Sequence, residues 1–133
     1  MKRLLVLFLV LQWGFIIFAC PSFMDKSPKD GLIEALEYHG VHHKEIVYAQ
    51  AIWETGYFKS KLCLTHNNLF GLKGKNGYMK FSHWSESVIT YKKKIQNRYK
   101  EGENYYLFLK RIRYASDSKY IQRIKNLVNN LKF

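Results

Sequence analysis

From residue 30 onward the apolar residues recur at helical spacing, and one stretch breaks the pattern: "NNLFGLKGKNGYMKF", residues 67–81. Apolar side chains three and four positions apart fall on one face of a helix, so most of this chain is confined to packed helices. Leu32, Ile33 and Leu36 mark a first short helix, with Asp30 as candidate cap and Gly40 as stop. A second is expected over about His43 to Thr55 and ends at Gly56. In it Ile46, Gln50 and Trp53 form one stripe, and Val47, Ala51 and Glu54 the neighbouring one. Ser85 is the candidate cap of a third, carrying Val88, Tyr91, Lys92 and Ile95. Tyr105, Phe108, Leu109 and Ile112 repeat that spacing in a fourth. After "YASDS", where Asp117 or a neighbouring serine can cap, Tyr120, Ile124, Leu127 and Leu131 line a last helix. Inside the exceptional stretch two apolar runs flank "KGKNG", and Asn-Gly is a strong hairpin signal. The spacing therefore predicts a mainly α (α+β) domain over residues 30–133, with a small β-hairpin after the second helix.

The segment ahead of that domain has a different character. "MKRLLVLFLVLQWGFIIFAC" begins with Lys2 and Arg3, runs apolar to Phe18, and places the small Ala19 before Cys20. This is the layout of an export signal over residues 1–19. Gln12 and Gly14 interrupt the run, which is shorter than the roughly 20 residues of a membrane span. "IFAC" resembles a bacterial lipobox, which makes Cys20 a candidate for lipidation and membrane anchoring; the rival is cleavage near Ala19 and free secretion. The expected location is the cell envelope, either anchored or periplasmic or secreted. Residues 20–29, polar with two prolines, read as a tether. The only other cysteine, Cys63, sits between Leu62 and Leu64 and reads as a buried thiol, with a Cys20–Cys63 bridge possible only if Cys20 is not lipidated.

Charge narrows the partners. Lys2 and Arg3 are the only charges in residues 1–19, so the other 114 residues keep a net +10. That balance favours a polyanionic partner such as cell-wall polymer or an anionic membrane surface. Export, and the lack of an aromatic–basic binding motif, disfavour nucleic acid.

Within "AQAIWETGYFKS" (residues 49–60), Glu54 falls in the last turn of the second helix, where the backbone dipole presents negative charge. A carboxylate there costs roughly 0.3–1 kcal/mol. Beside Trp53, Tyr57 and Phe58, both the dipole and desolvation favour its protonated form. A carboxylic acid that keeps its proton near neutral pH is what a general acid for glycoside cleavage requires. A glutamate on a fraying end, paired with Lys59 or Lys61, is the plainer alternative from the residues alone.

"AQAIWETG", "NNLFGLKG" and "RYASDSKY" in this order resemble the glucosaminidase family of peptidoglycan hydrolases, glycoside hydrolase family 73, over essentially residue 30 to the C-terminus. The resemblance implies a lysozyme-like helical domain with a small β-hairpin lobe, and an endo-β-N-acetylglucosaminidase acting on peptidoglycan glycan strands. It implies Glu54 as general acid and Tyr114 as the cleft tyrosine. It implies Asn67, Asn68, Phe70 and Gly71 at the mouth of the hairpin lobe. Of these, one asparagine is expected to be structural and one near substrate, with Phe70 beneath the cleft. Arg113 replaces the Gly or Trp usual in the family. Asp117 reads as a helix cap. The stretch Leu69–Ser85 contains no acid, so Glu86 is the nearest candidate for a second catalytic carboxylate, although an acid in a first helical turn explains it as well. The alternative is that the substrate's own N-acetyl group serves as nucleophile. A muramidase, a lytic transglycosylase or a non-catalytic wall-binding protein on the same fold are the rival functions.

His39, His42 and His43 cluster without a carboxylate at ligand spacing, and no metal or other cofactor is expected. Lys92–Lys94 read as a solvated face. A monomer is expected.

Overall fold

Ser27 opens the first helix. Its hydroxyl accepts the backbone N–H of Asp30, and Pro28 takes the first helical position, where its missing N–H costs nothing. Helix α1 (Pro28–Tyr38) thus begins earlier than Asp30 suggested, and Asp30 is an acid of its first turn. The computed structural model describes residues 19–133. The export-signal reading of residues 1–19 therefore lies, but for Ala19, outside the described residues.

The tether over residues 20–29 requires correction. Ser22–Asp25 form a 3-10 turn whose Phe23 is 1% exposed. Its ring meets Tyr38 edge-on at 5.4 Å and Trp84 at 6.0 Å. Trp84 Nε1 also donates to the Lys26 carbonyl at 3.0 Å. One aromatic in a polar, proline-bearing segment is enough to draw that segment into the core.

Helix α2 (Lys44–Thr55) is central, with Ile46, Val47, Ala49, Gln50, Ala51, Ile52 and Thr55 all buried. It packs against α1 on one side and α6 (Tyr120–Asn130) on the other. Between these come α3 (Lys61–His66), α4 (Trp84–Lys94) and α5 (Tyr105–Arg111). Helix α3 was not expected. It has six residues, of which only Cys63 is buried, too few for a stripe to show. His83, not Ser85, caps α4: its ring nitrogen accepts the N–H of Ser85. Asn104 caps α5 through the N–H groups of Tyr106 and Leu107. Ahead of α6 the Asp117 carboxylate accepts the N–H of Lys119. Cys20 and Cys63 are both free, the first exposed and the second buried.

The hairpin pairs β1 (Lys73–Gly74) with β2 (Gly77–Tyr78), antiparallel, with Lys73 opposite Tyr78 and Gly74 opposite Gly77. Lys75 and Asn76 form its tip, and the left-handed conformation falls on Gly77 (φ 108°). This mainly helical body with one short hairpin lobe is a lysozyme-like architecture.

Candidate active site

A cleft of about 560 Å³ opens where the end of α2, the hairpin lobe and the segment 113–117 meet. Glu54, Phe70, Gly71 and Tyr114 all line it, together with Tyr120 from α6.

Local backbone fixes the position of Glu54. Helix α2 stops at Gly56, and Gly56, Tyr57 and Phe58 are left-handed in succession, at φ 54°, 59° and 64°. For residues bearing a β-carbon this conformation costs about 1–2 kcal/mol each. The buried Thr55 holds the turn: its hydroxyl donates to the Ala51 carbonyl at 2.6 Å and accepts the Phe58 N–H at 2.8 Å. Glu54 is thereby held half-buried at the helix end, facing the lobe across the cleft. A β-carbon added at Gly71 (φ 63°) would stand 3.5 Å from Glu54 Oε2, so the lobe backbone runs directly past the carboxyl.

Burial raises the Glu54 carboxyl above the ordinary carboxylate range, and the nearby Tyr120 hydroxyl offsets part of that rise. Tyr114 and Tyr120 are themselves pushed well above the usual phenol range by burial first, and by the nearby Glu54 charge among other causes. Both keep their protons across the physiological range. Tyr114 donates its proton to the Phe70 carbonyl at 3.1 Å. The other charges on the cleft wall are mostly cations: Lys73, Lys94, Arg98 and Arg113. Asp117 is the one further acid lining it, and it is paired with Arg123.

The asparagine and Glu86 assignments are corrected. Asn68 is fully buried. Its Nδ2 donates to the carbonyls of Leu72 (2.8 Å) and Met79 (3.0 Å), and its Oδ1 accepts the N–H groups of Phe70 and Leu72. Asn67 ends α3 in the left-handed conformation and donates to the carbonyls of Phe81 and Ser82. Neither lines the cleft; both asparagines bind the lobe's own backbone. Glu86 accepts the Ser82 N–H at the start of α4 and also lies outside the cleft wall. An acid at that position completes a helix N-terminus. Phe70 is buried, its ring 4.5 Å from that of Tyr91, and so forms floor rather than exposed platform. His43 bonds the Tyr99 hydroxyl, and His39 packs beside Phe23.

Two residues of the site were missed. Tyr120 looked like one more member of an apolar stripe, yet it lines the cleft. Gln50 carried a usable signal, being the one amide among the buried residues of α2. It donates to the Tyr120 hydroxyl at 3.1 Å and accepts from Tyr91 at 2.6 Å.

A single half-buried acid between tyrosines, in a cleft beside a hairpin lobe, is the arrangement of a glycan-cleaving enzyme. Residues 29–133 match the family model of glucosaminidases, described as mannosyl-glycoprotein endo-beta-N-acetylglucosaminidase. The chain belongs to this glucosaminidase family and is a glycosidase-type enzyme. No curated protein matches the sequence.

Proposed function

We propose that the chain is a peptidoglycan hydrolase that cuts the β-1,4 bond after N-acetylglucosamine, with Glu54 as general acid. The observation that carries this reading is the Glu54 carboxyl, its affinity for the proton raised by burial, lining a cleft of about 560 Å³. Glu54 passes its proton to the glycosidic oxygen as the bond from that oxygen to C1 breaks. Asp117, the other acid on the wall, is engaged by Arg123 and the Lys119 N–H. The substrate's own N-acetyl oxygen therefore bonds to C1. Water then opens that ring, its oxygen going to C1 and its proton returning to Glu54. Tyr114 positions the lobe and presents its ring to the sugar.

One acid also suits a lytic transglycosylase, in which a substrate hydroxyl closes an internal anhydro ring. Mass spectrometry of products from purified peptidoglycan separates the two. Hydrolysis gives a reducing N-acetylglucosamine end, and Glu54→Gln is expected to lower the rate about 10²–10⁴-fold. Anhydro products would replace the hydrolytic reading, and equal activity in the variant would remove Glu54 from the chemistry. Anchoring through the exposed Cys20 belongs to the same proposal. It is checked by incorporation of labelled fatty acid that Cys20→Ala abolishes.

A further inference from the structure

A second hollow, of about 550 Å³, is lined by α5, α6 and the segment between them, and it meets the cleft along one strip of chain. Arg113, Ala115, Ser116, Asp117 and Tyr120 line both. Each of the two helices gives this groove the same pair of side chains. On α5, Tyr106 is followed four residues on by Lys110; on α6, Ile121 is followed four residues on by Lys125. Four residues is about one helical turn, so each apolar group shares a face with its lysine. The two faces meet: the Lys125 ammonium stands 5.1 Å from the centre of the Tyr106 ring. Leu107, 63% exposed, adds a large apolar surface open to solvent. Arg113 brings a third cation, on the strip shared with the cleft. Among the described residues Lys110, Arg113 and Lys125 form no ion pair, whereas Asp117, the one acid on this wall, is held by Arg123.

We propose that this groove is a subsite for the peptide stems of peptidoglycan: Lys110, Arg113 and Lys125 receive stem carboxylates, and Tyr106, Leu107 and Ile121 receive the small apolar side chains between them. The proposal rests on the glycan-cleaving function proposed above and extends it from the bond that is cut to the branch beside it. A strand of neutral N-acetylated sugars has nothing to match three unpaired cations. A stem has both parts, alanine methyls together with carboxylates at its end and on its glutamate. Stems leave the strand at alternate sugars, so one that departs over residues 113–117 passes directly from the cleft into the groove. A purely anionic wall polymer would engage the lysines and leave their apolar neighbours idle. The pairing of an apolar group with a cation on each helix therefore favours a peptide.

Binding and cleavage test it separately. The full chain, labelled with nitrogen-15, is titrated with a synthetic stem peptide of alanine, γ-linked glutamate and lysine, and with the same peptide amidated at every carboxylate. The free acid should give saturable backbone shifts centred on residues 106–110 and 121–125, and the amidated form should bind about fivefold more weakly. Lys110→Gln combined with Lys125→Gln, both at exposed positions, should weaken binding of the free acid by a similar factor. Cleavage is then compared on intact peptidoglycan and on glycan stripped of its stems. The same double variant should lower the ratio of the two kcat/KM values about fivefold. Lys59→Gln combined with Lys61→Gln removes equal charge outside both hollows and should leave that ratio alone. A ratio lowered as far by this control would assign the effect to overall charge and overturn the subsite. So would shifts centred elsewhere, the absence of saturable shifts, or equal binding of the amidated peptide. Hydrolysis to a reducing N-acetylglucosamine end with none of these peptide effects overturns the subsite and spares the proposed function. Anhydro products alongside the peptide effects do the reverse.

Discussion

The Tyr114 hydroxyl and the Phe70 carbonyl, 3.1 Å apart, join the C-terminal half of the cleft to the hairpin lobe. They come from segments 44 residues apart, and both residues line the cleft with Glu54. Tyr114→Phe should therefore cost about 0.5–1.5 kcal/mol of stability and lower turnover about tenfold, because a loosened lobe no longer holds the sugar against the acid. Urea denaturation and steady-state kinetics check the two parts. Unchanged turnover would mean that the lobe holds its place without Tyr114.

Glu54 also links stability to pH. Its carboxyl binds a proton more tightly folded than unfolded. Between the ordinary carboxylate value and the raised folded one, the native state holds more protons, so stability falls as pH rises through that window. Glu54→Gln, which cannot ionise, escapes this loss. Its advantage over the wild type should be absent at about pH 4, grow across the window and then level off, as read from denaturation midpoints up to about pH 8. A variant less stable than wild type at the upper end would contradict the burial of the charge.

Asn68 bonds four backbone groups of the lobe from a fully buried position. Asn68→Leu strands them at roughly 1–3 kcal/mol each where water cannot reach, and should destabilise the domain by about 3 kcal/mol or more. A sugar-binding asparagine would behave differently, raising KM with stability intact, so denaturation and kinetics together decide its role.

Arg113 ends α5 in the left-handed conformation (φ 53°), with Tyr114 N–H on the Leu109 carbonyl and Arg113 N–H on that of Lys110. This is the C-terminal turn that glycine fits best. Arg113→Gly should raise stability by roughly 0.5–1 kcal/mol, the relief of strain exceeding the entropy that glycine loses. A lower thermal midpoint would show that the Arg113 side chain contributes packing worth more than the strain.

The helices were legible because a period of 3.6 residues is local, and α2 with its Gly56 stop and the Asn-Gly hairpin emerge close to where the sequence puts them. Caps were less so. Ser27 and His83 were passed over for Asp30 and Ser85, three and two positions on, since several polar residues near a helix start can each supply an acceptor. The place of Glu54, in the last turn of α2 before Gly56, was legible from the helical spacing and the glycine stop. The asparagines were not. Their partners Leu72, Met79, Phe81 and Ser82 lie 4 to 15 positions away, and only the folded lobe brings them round. Nor were the hydrogen bonds that join Gln50, Tyr91, Gln96, Tyr105 and Tyr120, five side chains from five elements. Arg113 stands where the family usually has Gly or Trp, and the left-handed turn supplies a physical reason for glycine there.

Phe23 is locked into the domain only three residues after Cys20. Three residues of extended chain reach about 10 Å at most. A lipid attached at Cys20 would thus give the catalytic body almost no leash. It would ride against the bilayer surface and meet only those strands that pass close above it, with its surplus of lysine and arginine resting on the anionic headgroups.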